Sequence, residues 1–142
     1  MSADRTQTWC VLIVDGHDDT RAMYSYHLQR AGCEVEEAGN GEDGLAQARG
    51  RPHDLIVMEV SLPGVDGYEM CRQLRLDATT LHTPLVVVTA DTQPSAADRA
   101  RAAGADAVLI KPCLPETLTA AVEHVLYNAA AAMRPALSQD CD

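Results

Sequence analysis

The chain has no phenylalanine, one tryptophan and four tyrosines, so aromatics make up only 4% of its 142 residues. Its core must therefore be built from Val, Leu, Ile, Ala and Met. Basic residues are also scarce: 11 Lys and Arg stand against 21 Asp and Glu, a formal net charge of −10. That deficit disfavours nonspecific binding to nucleic acid or to an anionic membrane, because both present like charge. No apolar run approaches the roughly 20 residues of a membrane span. The opening Met1-Ser-Ala-Asp-Arg-Thr-Gln is polar and does not read as a signal peptide. The five cysteines (Cys10, Cys33, Cys71, Cys113 and Cys141) form no CxxC pair and no Cys/His ligand cluster. They are expected as reduced thiols in a cytoplasm, mostly filling apolar positions.

Hydrophobic residues make up 46% of the chain, enough for one domain with a single core. Apolar runs alternate with helical patterns, and the alternation repeats five times. Trp9–Val14, Asp54–Met58, Leu85–Val88 and Ala107–Ile110 are short β-rich runs of the kind buried on both faces of a parallel sheet. Cys33–Glu37 alternates and predicts an edge strand, with Glu34, Glu36 and Glu37 forming a solvated edge whose charge discourages strand addition. Helices are predicted from Asp18 or Asp19, acting as a cap, to Gly32, over Glu42–Arg49, Gly67–Leu76 and Ser95–Ala103, and from Pro115 to about Ala130. A domain over residues 6–130 is expected, followed by a flexible tail or truncated linker over 131–142, with the run Ala129–Ala132 ending the last helix.

Five β/α units predict helices on both faces of a parallel sheet. In such a sheet, sites form beyond the carboxyl ends of the strands. The residues there are Asp15, Glu59, Thr89 and Lys111: two acids, a hydroxyl and an ammonium from four segments. Asp15 and Lys111 also fit a structural ion pair, and Thr89 a strand end capping its own loop. His17 is expected in solvent beside this corner, although its imidazole could ligate a soft metal. Cys113 is expected to pack.

This constellation resembles the receiver domain of two-component response regulators over about residues 9–127. The matching pieces are Val11-Leu-Ile-Val-Asp15, Arg21, Asp54-Leu-Ile-Val-Met58, Leu62-Pro-Gly-Val-Asp-Gly67, Thr89-Ala90, Ala103-Gly-Ala105 and Lys111-Pro112. The resemblance implies an α/β fold of the flavodoxin-like kind, three layers α/β/α around a five-stranded parallel sheet in the order 2-1-3-4-5. It further implies an aspartate that takes a phosphoryl group from a histidine kinase with magnesium present, and a Thr and a Lys that bind the phosphoryl oxygens. The helix 4–strand 5–helix 5 face would then change shape for a partner.

The sequence departs from that pattern in three places. Glu59 occupies the acceptor position, and its extra methylene displaces the reacting oxygen by roughly 1 Å, a misplacement worth about a hundredfold in rate. Gly16 stands where the family has a second, magnesium-binding acid; Asp15, Glu59 and the carbonyl of Ser61 could touch Mg2+ only weakly. Val108 replaces the switch aromatic. Together these predict a pseudo-receiver that is not an enzyme, holds no cofactor and acts as a cytoplasmic protein-interaction module for a kinase or effector. Such a module would not bind nucleic acid or membrane directly, and could dimerise through the helix 4–strand 5–helix 5 face. Glu59 is expected to pair with Lys111 and fix one state. The competing expectation is a conventional phospho-accepting receiver with a residual or engineered, phosphomimetic site at Glu59, against which Gly16 argues. A flavodoxin-type cofactor binder is disfavoured, since Gly16-His-Asp-Asp-Thr20 would repel phosphate.

Overall fold

The computed structural model describes residues 8–132. Ten elements alternate along it: β1 (Cys10–Val14), α1 (Asp18–Arg30), β2 (Glu34–Ala38), α2 (Gly41–Gly50), β3 (Leu55–Glu59), α3 (Gly67–Leu76), β4 (Leu85–Thr89), α4 (Pro94–Ala103), β5 (Ala107–Ile110) and α5 (Pro115–Ala132). The strands form one parallel sheet in the order β2-β1-β3-β4-β5, as expected.

Pleating divides the strand side chains between two cores, because successive residues of a strand point to opposite faces. Val11, Ile13, Leu55, Val57, Val86 and Val88 meet Tyr24 and Leu28 of α1 and Leu118 and Val122 of α5. Leu12, Val14, Ile56, Met58, Leu85 and Val87 meet α2, α3 and α4 through Leu45, Met70, Leu74 and Ala100. The three central strands are buried along their whole length, which is why they read as continuous apolar runs. Without phenylalanine, two close approaches fill space. A Cβ on Gly44 would lie 2.9 Å from a Val14 methyl. One on Gly67 would lie 2.5 Å from the Glu59 carbonyl oxygen, so this glycine lets α3 start directly against the end of β3.

Several local expectations are corrected. Asp18 and Asp19 do not cap α1; His17 is the cap residue, without a side-chain cap bond, and the two acids fill the first turn, where they complement the positive helix end. Asn40 and Asp66 are the true side-chain caps, accepting from Asp43 N at 2.8 Å and Glu69 N at 2.9 Å. The β2 glutamates are not simply solvated: Glu36 accepts from Arg51 at 2.7 Å and lies 2.8 Å from His53, and Glu37 accepts from Arg21 at 3.1 Å. Helix α5 runs to Ala132, two residues past its expected end; residues 133–142 and the domain start at residue 6 lie outside the described residues. Trp9 precedes β1 at its amino end, about 20 Å along the strand direction from the carboxyl ends. Cys10 and Cys71 are buried, Cys33 and Cys113 partly so, and all four are free thiols; Cys141 lies outside the described residues.

Candidate functional site

At the carboxyl edge of the sheet, β1 delivers Asp15 and β3 delivers Glu59, both buried at 3% and 5% exposure. After β5 comes Lys111, whose peptide bond to Pro112 is cis. The Lys111 ammonium donates to Glu59 Oε2 at 2.9 Å and to Asp15 Oδ2 at 3.2 Å, bridging the two acids. Backbone amides hold the other oxygens: Gly16 N donates to Glu59 Oε1 at 3.3 Å and His17 N to Asp15 Oδ1 at 2.8 Å. Arg21 fixes the turn that supplies them, donating to the Asp15 carbonyl at 2.6 Å and to Asp18 at 2.8 Å.

The electrostatics follow from this packing. Burial pushes the Asp15 carboxyl up, but the hydrogen bond from the His17 amide and the Lys111 charge outweigh it and hold the group below its ordinary value. Burial likewise pulls Lys111 down, and Glu59 and Asp15 outweigh it, leaving the ammonium above its ordinary value.

Thr89 is buried at the end of β4, as its position requires, but its hydroxyl accepts from the Asp91 amide at 3.0 Å and so caps its own loop. Val108 is half-buried against the core beneath α4. Ser61 is exposed in the loop after β3. The feature sequence reasoning undervalued is His17. Its side chain is exposed, yet Nδ1 lies 3.4 Å from Asp15 Oδ1 and 3.5 Å from Glu59 Oε1. Its place two residues after Asp15, in a turn already aimed at the sheet edge, was the available signal. His17 and Lys111 also line a cavity of about 410 Å³ with Met23, Tyr24, Ala90 and Cys113.

The sequence matches the family described as "Response regulator receiver domain" over residues 11–123. The chain belongs to that family. It is 34% identical over 116 residues to Protein PilH of Pseudomonas aeruginosa, covering 82% of this chain and 96% of that protein. It is 30% identical over 126 residues to the transcriptional regulatory protein ResD of Bacillus subtilis, covering 89% of this chain but 51% of that one. The chain therefore spans about half the length of several curated relatives it matches. Among solved structures, the chemotaxis response regulator CheY4 of Vibrio cholerae superposes with a TM-score of 0.80 at 35% identity, covering 84% of this chain and 99% of that one. The protein is thus a flavodoxin-like receiver domain of two-component signalling.

Receivers bind magnesium in an acidic pocket, and the residues here fit that ion poorly. Magnesium demands a near-ideal octahedron of oxygen ligands, several of them retained waters that the surrounding side chains must leave room for. Gly16 contributes no carboxylate, and the His17 ring nitrogen, 3.4 Å and 3.5 Å from the free oxygens of the two remaining acids, stands where magnesium would keep an oxygen ligand.

Proposed function

We propose that this domain is a pseudo-receiver: a protein-interaction module that does not take up a phosphoryl group by the usual aspartate and magnesium route. The observation that carries the reading is the Lys111 bridge. The family lysine would bind an oxygen of the incoming phosphoryl group, and here the Glu59 carboxylate meets it at 2.9 Å. The longer side chain thus holds its own negative charge on that lysine, which fixes one state without covalent modification. With no magnesium ligand at Gly16 and no ring at Val108, phosphoryl transfer lacks both its metal anchor and its reporter.

The domain acts in a cytoplasmic two-component pathway through a kinase or effector partner. Its α4–β5–α5 face carries exposed Ile110, Leu114 and Tyr127, the surface through which it meets that partner or a second copy. No helix of the described residues is long and apolar enough to cross a membrane, and the net charge of −10 opposes direct contact with nucleic acid. The rival reading, a conventional receiver with a residual or phosphomimetic site at Glu59, draws support from the response regulators it resembles, CheY4 among them.

Incubation with a small phosphodonor and magnesium, read by intact mass, separates the two. The wild-type chain is expected to gain no phosphoryl group, and the double variant Glu59→Asp/Gly16→Asp to gain one. Space permits the second change: a Cβ on Gly16 would sit 3.2 Å from Pro63 Cδ, in an exposed turn that can give by a few tenths of an ångström. Phosphorylation of the wild type on Glu59 or Asp15 would refute the proposal.

A further inference from the structure

We infer that Asp15, His17 and Glu59 form a binding site for a divalent transition metal of the zinc or cobalt type, in place of the family's magnesium. The three residues present ligand atoms that all lie within 4.8 Å of one another. The inference rests on the reading that this pocket has lost its magnesium site, and it extends that reading to a different ion.

Two of the three ligand-to-ligand distances match a tetrahedral ion. Around a tetrahedral zinc with bonds of roughly 2.0–2.1 Å, neighbouring ligand atoms stand about 3.3–3.4 Å apart. Around an octahedral magnesium with bonds of similar length they stand about 2.9 Å apart. His17 Nδ1 is 3.4 Å from Asp15 Oδ1 and 3.5 Å from Glu59 Oε1, the spacing of tetrahedral edges. The donor set agrees, because imidazole nitrogen suits zinc, copper and nickel whereas magnesium prefers oxygen alone.

The oxygens are also free to bind. Lys111 takes Oδ2 of Asp15 and Oε2 of Glu59, which leaves Oδ1 and Oε1 turned toward His17. Each of these accepts one backbone amide, and each keeps a second lone pair. Two carboxylates and one ammonium leave the corner with one net negative charge, so an entering dication meets net attraction and turns the charge from −1 to +1. The exposed imidazole gives the ion a way in, and three protein ligands leave the fourth position for water.

The test is a titration of the full chain with Co2+, followed through the visible absorption of tetrahedral cobalt. Wild type is expected to bind one equivalent that Zn2+ displaces and millimolar Mg2+ does not. His17→Ala is expected to weaken that site at least tenfold, on the order seen when a metal's supporting residues are lost. His17 is exposed and makes no side-chain cap bond, so this variant should fold, which circular dichroism checks. Cys113→Ser, on the wall of the same cavity, should leave the affinity unchanged. Absence of the tetrahedral bands, an unchanged affinity in His17→Ala or loss of the site in Cys113→Ser would each overturn the assignment while leaving the pseudo-receiver reading intact. Displacement of cobalt by millimolar Mg2+ would overturn both.

Discussion

Replacing Lys111 by methionine tests the bridge on which the functional reading stands. The change keeps most of the length of the side chain and removes the ammonium that touches both buried acids. Breaking a buried ion pair by deleting one partner costs about 3–5 kcal/mol, because the surviving charge is stranded. Two features reduce that figure. Lys111 sits at the rim with its side chain 16% exposed, and each carboxylate keeps a backbone donor from Gly16 or His17. The expected loss is therefore about 2–3 kcal/mol, or roughly 10 °C in Tm for a domain of this size. Urea unfolding can be followed by Trp9, the single tryptophan, which packs against the core between the sheet, α1 and α5. The decisive measurement is a double-mutant cycle with Glu59→Gln. Neutralising Glu59 leaves Lys111→Met with only one unpaired acid, so the double variant should be more stable than the sum of the singles by about 1–2 kcal/mol.

The same variant should change the acid limb of stability. Asp15 has its folded value depressed, so its contribution is complete above the ordinary carboxylate value near pH 4 and is lost as pH falls through the lower folded value. Lys111 has its folded value raised, so its contribution is complete below the ordinary lysine value near pH 10.4 and is lost as pH rises through the higher folded value. The contributions of Asp15 and Lys111 are therefore both complete between about pH 5 and pH 10. Removing Lys111 takes away one of the influences that depress Asp15, and the acid loss should begin at higher pH. A Lys111→Met variant that loses less than about 0.5 kcal/mol, with an additive cycle and an unmoved acid limb, would refute the reasoning.

Two further outcomes concern the scaffold. Gly67→Ala should cost about 2–3 kcal/mol in urea unfolding, because its Cβ would meet the Glu59 carbonyl oxygen at 2.5 Å and Val60 Cα at 2.7 Å, both backbone; a cost near zero would mean that β3 and α3 are not in this contact. Burial pushes the Cys71 thiol up to about 12, so alkylation at pH 8 mapped by peptide mass should leave it unmodified in the native state and modify it in urea. Equal rates in the two conditions would show that the α3 face is open.

Much of this was legible in the sequence because burial on two faces leaves a plain record. β1, β3 and β4 are buried along their length and appear as short runs dominated by Val, Leu and Ile. The residues at their carboxyl ends could be placed together by topology alone, which is how Asp15, Glu59 and Lys111 were found. What failed was local and polar. His17 displaced Asp18 as the cap residue of α1 because a cap is set by backbone angles, and no composition rule fixes which of three consecutive polar residues takes them. Glu36 and Glu37 read as solvated because their partners, Arg51, His53 and Arg21, come from distant segments that alternation cannot reveal. Thr89 was placed at the right strand end, but sequence left open whether its hydroxyl faced the pocket or its own loop; Asp91 N takes it.

The proposed loss of switching has a counterpart away from the acids. A two-state switch responds to a ligand only by the difference in that ligand's affinity for the two states. In a phosphorylated receiver the new charge on the acceptor would supply that difference, by drawing in the lysine and the hydroxyl. Here Lys111 is already engaged by Glu59 and Asp15, while the Thr89 hydroxyl accepts from the Asp91 amide and keeps its own proton to donate. On the output side, Arg99 of α4 lies 4.0 Å over the ring of Tyr68 in α3, which ties the two helices beside the half-buried Val108. A contact of that kind contributes about 0.5–1 kcal/mol at an exposed site, less than the 2–3 kcal/mol argued for the Lys111 bridge. On the proposed reading the bridge is the larger contribution to this state, and a ligand entering this corner meets the oxygens that Lys111 leaves free. Those are Asp15 Oδ1 and Glu59 Oε1, the two that face His17.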